Sequence, residues 1–428
     1  MSPITRAKLA RSMGSEAPAR ARLIAGVVAE RLSEYPIVVL SGARQVGKTT
    51  LVQSFAGAAE RTYVGLDHVP TLHRASSAPE ALVADAERMT IDEVQRVPDV
   101  LLAVQQVVDR RRSPGQFLLT GSANLLLLKT VGESLAGRAH HATLRPLTER
   151  EKRGGLDPLV WSSLMTAANA REALALVPQP RTWNWRVAAV EGGFPPAALA
   201  TSPDVRHRWL ENYAHTYLQQ DLRNLAQIDD LAGFGRLMTL VALRTGGLLK
   251  QSDLARDATL PRTTTQRWLS VLEATYLMTL VQPFFESRSK RLLKAPKVYP
   301  GDTGLALHLA GAQDEAWIER LPNPGVWLEA LVLNDLLAWR EIEPRRPNVF
   351  HYRTTTSEEI DFVVEQGPRL LPVEIKSTQG ARVEHARALD AFCREFADRA
   401  PFGIVVYDGR ESMALTERVL AVPLGSLL

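Results

Sequence analysis

The sequence is 428 residues long, with 45% hydrophobic and 23% charged residues and a formal charge of +4. A chain of this length is too long for one ordinary hydrophobic core, so we predict roughly two to four domains. A single cysteine, Cys393, excludes a fold held by internal disulfides and favours a reducing compartment. No apolar run approaches the roughly 18 residues of a membrane span. The basic N-terminus lacks the apolar core of a signal peptide, so we expect a cytoplasmic protein without membrane contact.

Short apolar strands alternate with helices through residues 1–150. Strands are predicted at residues 37–40, 63–66, 89–91 and 116–120, with helices at residues 24–32, 49–55 and 100–110. This alternation predicts an α/β domain with a parallel sheet.

The rest of the chain divides into three predicted regions. Residues 151–230 are predicted as a helical linker or lid, irregular at 152–180 and helical at 205–228. Residues 231–315 are predicted as a winged helix, with helices starting at Ser252 and spanning 262–274, followed by strands at 278–281 and 297–299. Residues 316–428 are predicted as a second α/β domain with a helix at 326–339 and strands at 349–352, 360–364, 371–375 and 402–407.

A glycine-bearing loop follows the first strand and opens the next helix. It fits the pattern G-x-x-x-x-G-K-[ST] at every fixed position. Its backbone N–H groups would surround the phosphates of ATP, with the lysine near the β- and γ-phosphates and the threonine on Mg²⁺. The predicted ATP-binding residues are Gly42, Ala43, Arg44, Gln45, Val46, Gly47, Lys48, Thr49 and Thr50.

Two acidic residues, Asp92 and Glu93, end the third predicted strand. Beside a phosphate loop, Asp92 would bind the metal and Glu93 would polarise the attacking water. The alternative is that the pair caps the segment beginning at Val94. Further along, Ser122 could sense the γ-phosphate. Arg138 could act on the nucleotide of a neighbouring subunit, or it could form a surface ion pair.

These motifs occur in a recognisable order: GARQVGKTT, IDEVQRVPD, LLTGSANLLL and SLAGRAHHATLRPLTERE, then GGFP, YAHTYLQQD and IDFVVE…PVEIKST. Together they resemble prokaryotic ATPases of the AAA+ superfamily, specifically the group that carries a C-terminal domain of unknown function. The resemblance spans nearly the whole chain, except the first twenty residues and residues 152–185. It implies ATP binding, hydrolysis and homo-oligomerisation, and leaves the biological role open.

Basic residues cluster in the predicted winged helix. Arg262 and Arg267 lie on its second helix, where a helix-turn-helix places DNA contacts. Arg288, Lys290 and Arg291 lie in the predicted wing, flanked by Lys294 and Lys297. The cluster predicts DNA contact; the alternative is a winged helix that packs against protein.

Carboxylates in the last domain follow the order E…D…E-x-K. This order looks like the nuclease core of the restriction-endonuclease-like fold. That resemblance implies Mg²⁺ binding by Asp361 and Glu374 with support from Glu329, and a catalytic role for Lys376. Strand alternation places Glu374 and Lys376 on one sheet face. The alternatives are a surface charge pair or a retained fold without chemistry.

The sequence therefore predicts an ATP-driven enzyme acting on DNA. The rival hypothesis is a nucleotide-dependent switch that recognises protein or DNA without cutting or translocating it. An intact Glu93 favours the hydrolase, since a switch can run without an efficient water-activating carboxylate.

Overall fold

The computed structural model describes residues 20–55, 57–84, 86–122, 135–155, 160–216, 228–287, 291, 294–354 and 358–428. Among these residues, no helix is long and apolar enough to cross a membrane.

The N-terminal region is a parallel sheet flanked by helices. The elements are α1 (Ala25–Glu34), β1 (Ile37–Ser41), α2 (Lys48–Ser54), β2 (Thr62–Gly65), α3 (Val69–Ser77), α4 (Pro79–Val83), β3 (Met89–Asp92), α5 (Asp99–Arg110), β4 (Phe117–Gly121), β5 (Ala139–Thr143) and α6 (Glu149–Lys152). The strands lie in the order β2-β3-β4-β1-β5, and all the pairings are parallel. Strands β1, β3 and β4 are buried along their full length because helices cover both faces.

Within the described part of this region five helices follow, and the first three pack on the C-terminal region. Their buried residues share one core with the long helix and inner sheet face of that region; Trp161 and Trp339, for example, have ring centroids 6.5 Å apart. Residues 152–180 were predicted to be irregular but contain two helices. The apolar faces of these helices are buried against the C-terminal region, which is distant in the sequence. The helices are α7 (Val160–Thr166), α8 (Ala170–Leu176), α9 (Trp185–Glu191), α10 (Pro195–Ala198) and α11 (Pro203–Thr216).

A helix–hairpin module occupies residues 231–300. It comprises α12 (Leu231–Leu243), α13 (Gln251–Ala258), α14 (Arg262–Ala274) and the antiparallel strands β6 (Met278–Pro283) and β7 (Lys297–Pro300). Helix α14 has its predicted bounds and buries Trp268, Leu269 and Leu272. Ser252 is not a helix cap as predicted: α13 starts at Gln251, with Lys250 at the cap position, two residues before the predicted cap.

The last region is a mixed sheet that continues into the hairpin. The elements are α15 (Thr303–Leu309), α16 (Glu315–Ile318), α17 (Gly325–Ile342), β8 (Asn348–Arg353), β9 (Glu359–Gln366), β10 (Arg369–Lys376), α18 (Arg387–Glu395), β11 (Gly403–Tyr407), β12 (Met413–Ala414), β13 (Val419–Pro423) and α19 (Leu424–Leu427). Strand β6 pairs in parallel with β8, so the sheet has the strand order β12-β13-β11-β10-β9-β8-β6-β7 and crosses the predicted boundary at residue 315. Strands β10, β11 and β13 are parallel to one another.

Candidate functional sites

The loop between β1 and α2 has the backbone shape of a phosphate cradle. Gln45 and Gly47 adopt positive φ angles of 60° and 101°. Such left-handed positions turn successive N–H groups toward one side, which makes an anion-binding concavity. A Cβ on Gly42 would lie 2.3 Å from the carbonyl oxygen of Leu144, so this position requires glycine. The loop is therefore shaped for a phosphate and held close to the strand beside it.

Lys48 lies under this loop with only 4% of its surface exposed. Its Nζ donates to the carbonyl oxygens of Gly42 and Ala43, each at 2.9 Å. Burial lowers the pKa of Lys48 to about 8, although the charges of Glu93 and Asp92 oppose the shift. Because both hydrogen-bond partners are neutral carbonyls, an anionic ligand would stabilise the ammonium.

Asp92 ends β3 and accepts hydrogen bonds from three hydroxyl groups. Thr49 Oγ1 lies 2.6 Å and Tyr63 OH 2.7 Å from Asp92 Oδ2, while Thr120 donates to Oδ1. The fold thus brings Thr49 and Asp92 into direct contact, as expected for a pair that shares Mg²⁺. Hydroxyl and carboxylate oxygens suit this hard cation. Sequence reasoning missed Tyr63, whose pKa is raised by burial and by its hydrogen bond to Asp92.

Glu93 is the first residue after β3 and has a positive φ of 60°. Its N–H donates to Thr120 Oγ1 at 3.1 Å, and its Oε2 accepts from Gln95 Nε2 at 2.5 Å. The same Gln95 nitrogen donates to Ser122 Oγ at 2.9 Å. The Glu93 side chain does not cap the following 3-10 turn, contrary to the capping alternative. Gln95, which sequence reasoning missed, thus connects Glu93 to Ser122.

Residues from outside the parallel sheet form hydrogen bonds with the phosphate loop and with the strand end before it. Arg22 donates to the carbonyl of Val46 at 3.0 Å and pairs with Glu151 at 3.1 Å. Tyr213 on α11 donates to the carbonyl of Arg44 at 3.3 Å. Tyr276, between α14 and β6, shares a 2.6 Å hydrogen bond with Ser41. The loop is therefore in contact with α11 and with the helix–hairpin module.

A second charged cluster lies where β9, β10, β7 and α17 meet. Asp361 Oδ2 accepts from the N–H of Ile375 at 2.8 Å, and Lys376 Nζ lies 2.5 Å from Glu374 Oε1. Glu329 accepts from Tyr299 OH at 2.6 Å. The structure thus brings Glu329, Asp361, Glu374 and Lys376 together, and Glu374 and Lys376 share one sheet face as predicted.

Burial and mutual repulsion dominate the electrostatics of this carboxylate cluster. Burial, followed by the charge of Asp361, raises the pKa of both Glu329 and Glu374 to about 8. Glu374 is 9% exposed, and its Oε2 is buried without a hydrogen-bond partner. Glu374 and Lys376 line a cavity of about 600 Å³. Within the described residues, no three His, Cys, Asp or Glu side chains form a set that could hold a metal ion.

Three family models match consecutive parts of the chain. An AAA domain matches residues 34–152, a domain of unknown function (DUF8612) matches residues 182–316, and a domain of unknown function (DUF4143) matches residues 324–427. Uncharacterized proteins of Mycobacterium bovis and Mycobacterium tuberculosis are each 31% identical over 397 residues, which cover 93% of this chain and 82% of theirs. This chain belongs to their family of AAA-domain P-loop ATPases with a C-terminal DUF4143 domain.

Two solved structures overlap with the AAA-domain ATPase. The Walker-type ATPase of Pyrococcus abyssi has a TM-score of 0.38 and 14% identity, over 67% of this chain and 94% of that one. A RuvB variant of Thermotoga maritima has a TM-score of 0.28 and 17% identity, over 63% of this chain and 94% of that one.

Arg138 of the AAA-domain ATPase forms a surface ion pair. Its Nε and Nη2 lie 2.6 and 2.9 Å from the two carboxylate oxygens of Asp109. Both side chains are partly exposed. Within one chain Arg138 therefore forms the surface ion pair that was the alternative prediction. Its action on the nucleotide of a neighbouring subunit stays a prediction.

The basic residues of the helix–hairpin module divide into two groups. Arg262 and Arg267 are exposed on α14, as a DNA-contacting helix requires. Arg291 is 9% exposed; its Nη1 lies 2.8 Å from Glu365 Oε2, and its guanidinium stacks 4.4 Å from the Phe350 ring centroid. The predicted contact of Arg291 with DNA is therefore wrong, because this side chain is paired inside the protein. Arg288 and Lys290 lie outside the described residues.

Proposed function

We propose that this AAA-domain ATPase hydrolyses ATP with Mg²⁺ and couples its cycle to DNA bound on α14. The observation that supports hydrolysis most directly is the contact of Thr49 with Asp92 directly beside Lys48 and Glu93. Metal-side ligands, a phosphate-binding cation and a candidate water-orienting carboxylate thus meet at the carboxyl edge of one parallel sheet, where α/β folds bind ligands.

Each residue has a distinct role in this proposal. The loop N–H groups and Lys48 bind the phosphates, while Thr49 and Asp92 hold Mg²⁺, which would neutralise charge on the transferred phosphoryl group. Glu93 orients the attacking water. Gln95 donates to both Glu93 and Ser122, so it couples Glu93 to a group near the γ-phosphate position.

DNA contact is supported by the exposed face of α14. Arg262 and Arg267 lie on it, and Lys250 and Arg256 of the preceding segment are also exposed. Tyr276, which follows α14, is hydrogen-bonded to Ser41, directly before the phosphate loop. A ligand on α14 therefore has a short physical connection to the ATP site.

ATP turnover should be measured without DNA and with single-stranded, double-stranded and branched DNA. We expect one DNA form to stimulate turnover, and Arg262→Ala/Arg267→Ala to lose the stimulation while keeping basal turnover. Arg171→Ala/Arg394→Ala removes two exposed arginines elsewhere and should behave like wild type. Normal basal turnover without stimulation by any DNA would favour the alternative, a nucleotide-dependent switch that recognises a protein.

Homo-oligomerisation is proposed together with a role in trans for Arg138. Arg138→Ala and Glu93→Gln subunits should each hydrolyse ATP slowly, and a mixture should recover turnover because a mixed interface can combine one intact group from each. No recovery in a demonstrably mixed oligomer would exclude the trans role.

A second candidate activity concerns the C-terminal cluster. Asp361 and the unpartnered Oε2 of Glu374 could bind one divalent cation, which would polarise a phosphodiester, with Lys376 stabilising charge. Glu329 is left out of this proposed ligand pair because it is hydrogen-bonded to Tyr299. Incubation with Mg²⁺ or Mn²⁺ and linear, single-stranded or junction DNA, beside Asp361→Ala/Lys376→Ala, tests the proposal. Cleavage by wild type alone supports it.

A further inference from the structure

Two adjoining cavities lie at the carboxyl edge of the parallel strands of the C-terminal sheet. The larger has a volume of about 790 Å³, and the segments that follow β10, β11 and β13 line it at residues 379–381, 408–411 and 424–425. The smaller, of about 390 Å³, shares Arg181 and Gly425 with it. The carboxyl edge of parallel strands is where α/β sheets bind ligands. We call the two cavities together the edge groove.

Backbone contacts fix the walls of the edge groove. The N–H of Arg181 donates to the carbonyl of Gly425 at 3.0 Å, and a Cβ on Gly425 would collide with the carbonyl oxygen of Arg181. On the opposite wall, the N–H of Asp408 donates to the carbonyl of Thr378 at 3.2 Å. The groove is therefore a preformed feature of the fold.

Arginines outnumber carboxylates along the edge groove. Among the described residues, its charged lining consists of Asp408, Glu411, Arg150, Arg153, Arg181, Arg186 and Arg410. Arg150 lies 4.0 Å from the buried Asp335, and Arg186 lies 3.7 Å from Asp408. Arg153, Arg181 and Arg410 are exposed, whereas Glu411 is the exposed carboxylate of the described lining. The solvent-facing side of the groove therefore has an excess of positive charge, which attracts an anionic ligand.

An indole ring and a buried hydroxyl also line the edge groove. Trp183 lines the larger cavity and is only partly buried, with part of its surface packed on the core of the C-terminal region. Ser426 lines the smaller cavity and is 4% exposed, and its Oγ has no hydrogen-bond partner among the described residues. A partly open indole ring can stack on a nucleic-acid base, and an unsatisfied buried hydroxyl is stabilised by a ligand oxygen.

We propose that the edge groove binds single-stranded nucleic acid, with phosphates on the exposed arginines and one base stacked on Trp183. Proteins bind single strands in this way, with a positively charged groove along the backbone and aromatic side chains under the bases. The bases of a duplex are paired and stacked on one another, so they do not reach such a ring without being extruded. The inference does not depend on DNA contact by α14, because none of residues 262–274 lines the groove.

The affinity of the full-length chain for a fluorescein-labelled thymidine oligonucleotide should be measured by anisotropy. Loss of one stacking contact lowers affinity roughly 5- to 150-fold, so we expect that loss in Trp183→Ala and recovery of most of it in Trp183→Phe. Trp317→Ala removes an exposed tryptophan outside the groove and should match wild type. Wild-type affinity in folded Trp183→Ala would overturn the inference.

The salt dependence of the same binding tests the arginines. Arg410→Ala should reduce the slope of log affinity against log salt by about 0.7, the value for one phosphate contact on a single strand. Arg394→Ala removes an exposed arginine of α18 outside the groove and should keep the wild-type slope. An unchanged slope in Arg410→Ala would contradict the proposal, as would equally tight binding of a polyglutamate peptide or tighter binding of a duplex.

A second measurement leaves the groove unmutated and does not depend on the folding of a Trp183 variant. A single strand carrying 5-iodouracil is bound to wild type and to Arg262→Ala/Arg267→Ala, irradiated, and the crosslinked residues are identified by mass spectrometry. We expect a crosslink to Trp183 in both proteins, whether or not α14 contacts DNA. Crosslinks found only outside the edge groove would overturn the inference, while the stimulation of ATP turnover through α14 would stand or fall by its own test.

Discussion

The phosphate-loop site and the C-terminal cluster both place lysine beside carboxylates, but their charges are arranged in opposite ways. Lys48 faces two neutral carbonyls, and Asp92 is satisfied by three hydroxyl donors. In the C-terminal cluster the lysines face carboxylates directly, and Glu374 still has a buried oxygen without a partner.

This difference indicates which ligand each site would stabilise. A buried ammonium with neutral partners favours an anion, and the cradle of N–H groups around it fits phosphate. Buried carboxylates that repel one another favour protons or a cation, which the raised pKa values of Glu329 and Glu374 reflect. The same residue types thus support opposite ligand charges because their nearest partners differ.

The largest expected effect is on chemistry at the anion-binding site. Glu93→Gln should keep ATP affinity and lower turnover by roughly 10²–10⁴, because a positioned general base contributes about that much. Binding and steady-state hydrolysis are measured on the same preparation. Glu80→Gln, an exposed change in the same domain, should leave both unchanged. Wild-type turnover by Glu93→Gln would show that another group activates the water.

The next largest effect is on nucleotide affinity. Lys48→Ala removes a buried charged donor, and a hydrogen bond to a charged group contributes about 1.5–3 kcal/mol, or roughly 10- to 150-fold in affinity. Fluorescent ATP titration measures the change. Retained affinity in the folded variant would mean that the loop N–H groups alone bind the phosphates.

The depressed pKa of Lys48 predicts a pH dependence of ATP binding. Its pKa is about 8 in the ligand-free fold, so the ammonium is lost as the pH rises through that value. ATP favours the charged form, so affinity should be nearly constant below about pH 7, fall about twofold near pH 8 and be about tenfold lower by pH 9. Lys48→Arg keeps its charge and should give a flat profile in the same titration. A flat wild-type profile would contradict the assignment.

The smallest expected effect concerns Tyr63. Tyr63→Phe removes one of three hydroxyls that fix Asp92, at a cost of about 0.5–1.5 kcal/mol. The Mg²⁺ concentration for half-maximal turnover should rise roughly 2- to 12-fold, with maximal turnover little changed. Tyr35→Phe serves as a control in the same region. An unchanged Mg²⁺ requirement would show that Thr120 and Thr49 suffice to hold Asp92.

Local sequence patterns predicted the strands and the loop that bring the candidate phosphate-loop residues together. The loop, the neighbouring strands and the positions of Thr49 and Asp92 are set by short segments. In these segments the residue types alone indicate the backbone conformation. Tyr63 and Gln95 were missed because their roles arise from neighbouring strands and a turn. Strand β5 was missed because Ala139–Thr143 lies at a sheet edge and lacks a continuous apolar run.

Contacts between distant segments account for the other differences. The spacing of Asp361, Glu374 and Lys376 indicated a shared face, but Lys297 looked like a surface residue beside other basic residues. Only the pairing of β6 with β8 places the hairpin against this cluster. Likewise, Arg291 is buried because it pairs with Glu365, which lies 74 positions away in the sequence.

The opposite ligand preference of the two sites is tested most directly by titrating four proteins with ATP and, separately, with Mn²⁺ in the absence of nucleotide. These are wild type, Lys48→Ala, Asp361→Asn/Glu374→Gln and a variant combining all three changes. Lys48→Ala should lose ATP affinity and keep the nucleotide-independent ion, the carboxylate variant should do the reverse, and the combined variant should lose both. Loss of ATP affinity in the folded carboxylate variant, or an unchanged Mn²⁺ count in it, would contradict the account.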